Sequence, residues 1–444
     1  MGAIRQETNA PSGGIIDATA LQACLREDVS SPLYFMDLSD TDNRMTQSQS
    51  EIPATPLNIL HLDCTTGYGG QERDHIAEAK GMNARGHRYV IGARPGTPFF
   101  EEARLRTETV GFPMKSNFDH ESFSSLRQFI LQERINVLVT TSYIDSFLGY
   151  VSAVSLGKNR PLVIRQRHLL NVPKSMLPFR QFCDRLVVVS EALRIFFLEK
   201  HLPFWHVVTI PRGIAIKEKE EGKEIAALGR ELDLGKELSG KKVLLQIGIF
   251  QRDKGHHLML DALVLLFRQF PDLHMIFLGI GPLFEEIQIR ARRLLGESGF
   301  SRLHFMGSQD PGPYLSIADL VLLPSVRDSF PLVVLEAISA KKEVVAFRVG
   351  GLPEMGNLLP GIHLVTPKDP VSFARKVASL LSVPGRQEFK KENACNYVEK
   401  AFSIETCNIR TEAVYRNALM LLKEGKISQN PYASKGGLAD PFLS

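Results

Sequence analysis

The chain has 444 residues, 44% apolar and 23% charged, with a net charge of +4. That is an ordinary globular composition, long enough for two or three domains. The mild basic excess does not argue for nucleic acid and is compatible with anionic small molecules or an anionic membrane surface. Five cysteines (Cys24, Cys64, Cys183, Cys395, Cys407) show no C-x-x-C spacing and are odd in number. This speaks against a zinc site or disulfide framework and for a reducing compartment. No apolar run approaches a membrane span and no basic-then-apolar leader opens the chain, so a cytoplasmic location is expected.

Residues 1–55 are rich in Ser, Thr, Asp, Gln and Gly, with a weak helical stretch around Ala18 to Arg26, and read as a poorly ordered extension. Order is expected from PLNILHLDC (Pro56 to Cys64), a strand feeding the loop TTGYGG (Thr65 to Gly70). A helix ending at Gly86 and the strand HRYVIGA complete one βαβ unit. Further strands are expected at Ile135 to Ser142, Pro161 to Arg167, Asp184 to Ser190 and His206 to Gly213. Strands alternating with helical patterns predict a parallel sheet, here an N-terminal domain over 56–217.

Residues 218–240 shift to Lys, Glu and Gly and read as a linker, the alternative being a solvated helix or insertion in one continuous domain. The pattern restarts over 241–400. KKVLLQIGIF, HMIFLGIG, RLHFMGS, ADLVLLPS, KEVVAFRVGG and GIHLVTP read as strands, with amphipathic helices among them. The stretch 401–424 reads as a C-terminal helix packing back towards the first domain, and 425–444 as a flexible tail. The fold class is therefore α/β, with two Rossmann-like doubly wound domains facing a central cleft, a favoured ligand site.

The run RDSFPLVVLEAISA places Asp328 and Glu336 eight positions apart across a strand-to-helix turn. Pro331 suits the first turn of the helix, and Leu332, Leu335 and Ile338 form its apolar stripe. Carboxylates at the carboxyl end of a strand suit the hydroxyls of a sugar or ribose. The alternative is two solvated acids complementing a helix dipole. In GIFQRDKGHH, Arg252 and Lys254 precede a helix start, which suits a diphosphate; the alternative is a solvated surface loop. LGIGPLFEE is only superficially a dinucleotide fingerprint, because Phe284 takes the third glycine position and no acid stands near Leu303. NAD is therefore not expected. The D-x-D string Asp40 to Asp42 lies in the extension and reads as chance.

In order, GIFQRDKG, LGIGPL, FMGS, ADLVLLPS, DSFPLVVLEA and VGGLPE resemble the donor half of retaining GT-B glycosyltransferases of family 4. GYGGQE and the turn Arg85 to His87 resemble the acceptor half, so the likeness runs from about residue 56 to 424. SYIDSFLGY, VIRQRH and VVVSEALR look most like bacterial members acting on lipopolysaccharide or related cell-surface glycans. The resemblance implies a GT-B architecture and a nucleotide-diphosphate sugar as substrate, with no metal or other cofactor. Glu336 would hold the ribose, Asp328 the transferred sugar, and Lys254 with Arg252 the diphosphate. Gly69, Gly70, Gly248, Gly281, Phe330, Pro331 and Leu332 would complete the donor site. Asp145, Arg167 and His168 are acceptor-side candidates, their alternative being a structural network at strand ends. The chain departs from the pattern at Asp328, Ile249 and Thr141, where relatives often carry Glu, Arg and His. The implied partner is a glycan or glycolipid acceptor, with no nucleic acid, and peripheral membrane contact is compatible with the basic charge. A sugar-nucleotide epimerase and a non-catalytic glycan-binding protein are the alternatives.

Overall fold

The structure, a computed structural model, describes residues 55–216, 219–382 and 388–427. The N-terminal extension, its Asp40 to Asp42 string and most of the expected tail lie outside the described residues.

The short runs of Val, Ile and Leu form strands buried on both faces, as parallel sheets require. The first sheet comprises β1 Asn58–Asp63, β2 Arg88–Ala93, β3 Thr109–Gly111, β4 Val137–Thr140, β5 Leu162–Arg167, β6 Arg185–Val188 and β7 Val207–Thr209. The second comprises β8 Lys242–Ile247, β9 Leu273–Leu278, β10 Leu303–Phe305, β11 Leu320–Leu323, β12 Glu343–Phe347 and β13 Ile362–Val365. Their orders are β3-β2-β1-β4-β5-β6-β7 and β10-β9-β8-β11-β12-β13. All pairings are parallel, with Ile59 opposite Val137 and Leu244 opposite Leu320 at the two central seams. The winding therefore reverses between β1 and β4 and again between β8 and β11. Loops at such switch points open into a crevice at the carboxyl edge, the architecture of the GT-B fold. The three-residue edge strand β3 was not legible in sequence, being too short for any alternation to show.

The stretch expected as a linker is helical. It holds the helices Lys219–Glu231 and Asp233–Glu237. The first packs so closely on the helix Pro311–Ile317 that a Cβ on Gly229 would overlap Ser316 Oγ. The chain crosses between the sheets twice in one place. Ile214 N donates to Phe402 O at 2.9 Å, and Ile404 N donates to Ile214 O at 3.0 Å. Ser403 then caps the helix Ile404–Lys423, accepting from Thr406 N at 3.1 Å. That helix returns to the first sheet along the helix Gly70–Ala84. It buries Tyr415 completely and pairs Glu412 with Arg85 at 2.7 Å.

Both sheets belong to one unit of the structure. The four cysteines among the described residues are free and buried. Among the described residues no helix is long and apolar enough to cross a membrane.

Candidate functional site

At the end of β8 the chain leaves Gly248 and closes into a 3-10 turn, Arg252–Lys254. Gly255 ends the turn at φ 70°, a left-handed conformation that glycine adopts without steric cost. A Cβ there would overlap the Pro324 carbonyl oxygen of the β11 loop. Two hydrogen bonds hold the same turn: Gln246 Nε2 to Lys254 O at 3.0 Å, and Val326 N to Asp253 O at 2.9 Å. The loops after β8 and β11 are thus one rigid assembly, and its product is a contact across 74 residues. Lys254 Nζ lies 2.6 Å from Asp328 Oδ2, with side chains 28% and 11% exposed. Arg252, two residues before Lys254 in the same turn, is exposed. Glu336 stands, partly buried, on the second turn of the helix Leu332–Ser339. The reading of Asp328 and Glu336 as one half of the site and the cations as the other is refined, since Asp328 directly meets Lys254.

The remaining donor-side candidates divide. Gly248 N pairs with Leu278 O at 2.9 Å, and its Cα faces the Lys254 side chain. Gly281 packs on the Phe250 backbone, where a Cβ would come within 2.7 Å. Pro331 is the buried N-cap of the following helix and Leu332 is half-buried at its start. Phe330 is 5% exposed and its ring packs at a tilt against Phe402 at 5.7 Å, anchoring the returning chain.

On the first sheet, Gly69 caps the helix Gly70–Ala84 and spends its N–H on Glu72 Oε2 at 2.7 Å, while Gly70 fronts open space. Asp145 is fully buried. Its carboxylate accepts from Ser142 N at 2.9 Å, Thr141 N at 3.1 Å and Cys64 N at 3.2 Å, tying the β1 and β4 loops together. Burial, then the nearby Asp63 charge, push this carboxyl up to about 6. His168 has both ring nitrogens engaged, Nδ1 with Arg212 at 3.1 Å and Nε2 with His75 at 3.4 Å and Gln166 at 3.3 Å. Burial holds it well below the usual histidine range, so it is neutral. Arg167 lies 5.5 Å from the Phe179 ring, next to Arg165 at 4.2 Å; burial lowers Arg167 to about 10. Asp145 is thus held in a buried network at the strand ends, and the partly exposed His168 has both ring nitrogens engaged beside it.

Sequence reasoning missed the centre of that network. His75 meets Asp63 at 3.1 Å, and His61 bridges Tyr89 at 2.8 Å and Thr141 at 2.9 Å. Glu78 gathers Gln166 at 3.0 Å, Tyr89 at 3.2 Å and Tyr415 at 3.3 Å, and Arg212 pairs with Asp74. His75, Glu78, His168 and Arg212 line a cavity of about 70 Å³ with Asn408. A signal was present: His61 and Asp63 stand two apart in a strand that after Asn58 is otherwise apolar, and so share a face.

Residues 233–397 match the family model described as "Glycosyl transferases group 1", and residues 68–218 that of "Glycosyltransferase Family 4". Both matches are to glycosyltransferase family models. Each sheet falls largely within one of the two matches. The chain is 30% identical over 235 residues to a D-inositol 3-phosphate glycosyltransferase of Corynebacterium urealyticum, covering 51% of this chain and 55% of that protein. It is 27% identical over 261 residues to a lipopolysaccharide 1,2-N-acetylglucosaminetransferase of Salmonella typhimurium, covering 56% of this chain and 66% of that one. The chain spans about half the length of the first curated relatives it matches. The crystal structure of Anabaena HepE in complex with UDP superposes with a TM-score of 0.69 at 18% identity, covering 81% of this chain and all of that one. That likeness is one of fold.

Proposed function

We propose that the protein is a retaining, metal-independent glycosyltransferase that moves a sugar from a nucleotide-diphosphate sugar to a hydroxyl of an acceptor glycan or glycolipid, in cell-surface polysaccharide or lipopolysaccharide biosynthesis. The observation that carries this reading is the Lys254–Asp328 contact at the switch point of the second sheet, with Glu336 on the helix that follows. Glu336 would accept from the ribose hydroxyls and Asp328 from a hydroxyl of the sugar. As the bond from the anomeric carbon to the β-phosphate oxygen breaks, charge develops on that phosphate. Lys254, held by Asp328, is a preorganised cation for it, with Arg252 two residues away, and preorganised groups act most strongly in the transition state. The acceptor hydroxyl would attack from the same face while the leaving phosphate oxygen takes its proton. No separate base is then needed, in keeping with Thr141 bonded to His61 and His168 engaged at both nitrogens.

UDP is the first nucleotide to test, because HepE was solved with it. Peripheral contact with a membrane surface is supported by Tyr143, Val151 and Val154, exposed along the helix Tyr143–Val154, and by Phe118, which is 80% exposed. The reading is tested by thermal shift with UDP, GDP, ADP and CMP and their sugars, followed by transfer assays with the nucleotide sugar that stabilises most. Stabilisation without transfer across a broad acceptor panel would favour a binding protein. A changed sugar without acceptor, seen by NMR, would favour an epimerase.

A further inference from the structure

The run GGLPE, Gly350 to Glu354, has no task in the proposed reaction. It follows β12 at its carboxyl end. A Cβ on Gly351 would overlap the Ser329 carbonyl oxygen and come within 3.3 Å of Ser190 Cβ. Ser190 follows β6, so the carboxyl edges of the two sheets meet here. Glu354 lies in the first turn of the helix Leu352–Leu358, where an acid ordinarily serves its own helix. Instead, its Oε2 accepts from Ala192 N at 3.2 Å. Ala192 is the second residue of the helix Glu191–Glu199, whose N-cap Ser190 accepts from Leu193 N at 3.3 Å. The unpaired amides of that helix start are therefore served from both halves, by Ser190 from the first and Glu354 from the second.

We propose that Glu354 is a positioning residue that holds the two halves of the protein at the angle of a closed cleft, by capping a helix of the first half from the second. The contact stands on its own geometry, while its effect on turnover rests on the glycosyltransferase reading. The angle sets the distance between the Lys254–Asp328 site and any acceptor held on the first half, and a displacement of ~1 Å at a reacting centre costs on the order of 10²-fold in rate. The charged groups assigned to the nucleotide sugar, Lys254, Arg252, Asp328 and Glu336, lie in the second half and only Gly69 and Gly70 come from the first, so nucleotide affinity should change little. Burial, followed by the charge of Glu191, pushes the Glu354 carboxyl up to about 8. Near neutrality it therefore presents an uncharged carbonyl oxygen to Ala192 N, as a glutamine would. Glu191 itself is turned to Arg194 at 3.4 Å.

The full chain would be compared with Glu354→Ala, Glu354→Gln, Ala192→Pro and the double variant Glu354→Ala/Ala192→Pro. Proline is tolerated in a first helical turn and removes the donor, with some strain on Glu191 before it, which the thermal melt of Ala192→Pro reads. Small-angle scattering without ligand should show an increased radius of gyration for Glu354→Ala and Ala192→Pro. The double variant should open no further than the more affected single, because both remove one interaction. Glu354→Gln should match the unaltered chain. In transfer assays kcat should fall about tenfold for the opened variants with UDP affinity unchanged. An unaltered radius for Glu354→Ala, additive opening in the double variant, or a glutamine variant as open as the alanine one would each overturn the proposal. Thermal melts establish folding; should Glu354→Ala not fold, Ala192→Pro against Glu354→Gln decides the question. If no nucleotide sugar is turned over, the reaction reading fails while the scattering comparison still judges the contact.

Discussion

Replacing Lys254 by Ala removes the ammonium group that Asp328 holds at 2.6 Å. Two magnitudes follow, and they differ widely. In the resting protein the pair is part-exposed, at 28% and 11%. A gross attraction of about 4 kcal/mol at an effective dielectric constant of 20 is then mostly offset by screening and side-chain ordering. The net loss of stability should be about 1 kcal/mol or less, a melting shift of a few degrees at most for a chain of this size. In the transition state the same ammonium faces charge developing on the leaving phosphate. Loss of one such preorganised group typically lowers kcat by about 10²–10³. Lys254→Arg should fall between, because the guanidinium keeps the charge but spreads it over a planar fork. The assay is nucleoside-diphosphate release from a verified donor and acceptor, read beside a thermal melt. Turnover of Lys254→Ala within about threefold of the parent would refute the leaving-group role, since no screening argument brings the expected loss that low.

Calorimetry with free nucleotide separates the two acids: Glu336→Ala should weaken binding by about tenfold or more, as loss of charged hydrogen bonds does, whereas Asp328→Ala should keep nucleotide affinity and lose turnover. Phe330→Ala should cost about 3–5 kcal/mol in urea unfolding, as large core truncations do, and leave the nucleotide dissociation constant of the folded protein unchanged; a selective loss of affinity would restore Phe330 to the ligand-contacting set. Burial alone would raise the Glu412 carboxyl, yet hydrogen bonds from Arg416, Arg85 and His87 outweigh it and hold it near 2. A depressed acid stabilises above its unfolded value and loses that contribution as pH falls through its folded one. The gap in urea midpoint between the parent and Glu412→Gln should therefore be constant above about pH 5 and close between about pH 4.5 and 2. A gap independent of pH would contradict that account.

The donor loop and both sheets were legible because each depends on local pattern: a buried apolar run, then Gly with Lys or Arg, then a helix. The Lys-, Glu- and Gly-rich stretch read as a linker shows where this runs out. Its composition suits solvent, but the helix Lys219–Glu231 finds a tertiary partner in Pro311–Ile317 at Gly229. Asp145 and His168 were visible as strand-end polar residues, yet sequence could not show which way they face. Their distant hydrogen-bond partners lie in the loop after β1, on the helix Gly70–Ala84 and in the segment after β7.

By itself the sequence determined the strand-and-helix alternation, the identity of the acids and cations, and the absence of a dinucleotide fingerprint, all properties of residues within one or two turns of each other. Tertiary structure alone decided which of them meet. Lys254 and Asp328 are 74 positions apart and touch because β8 and β11 are neighbours where the sheet reverses its winding. Phe330 is buried for the same kind of reason, since the chain crossing at Phe402 covers it. Local pattern sets which groups are offered at a strand end; only the order of strands in the sheet sets the distance between them, and these interactions act over a few ångströms.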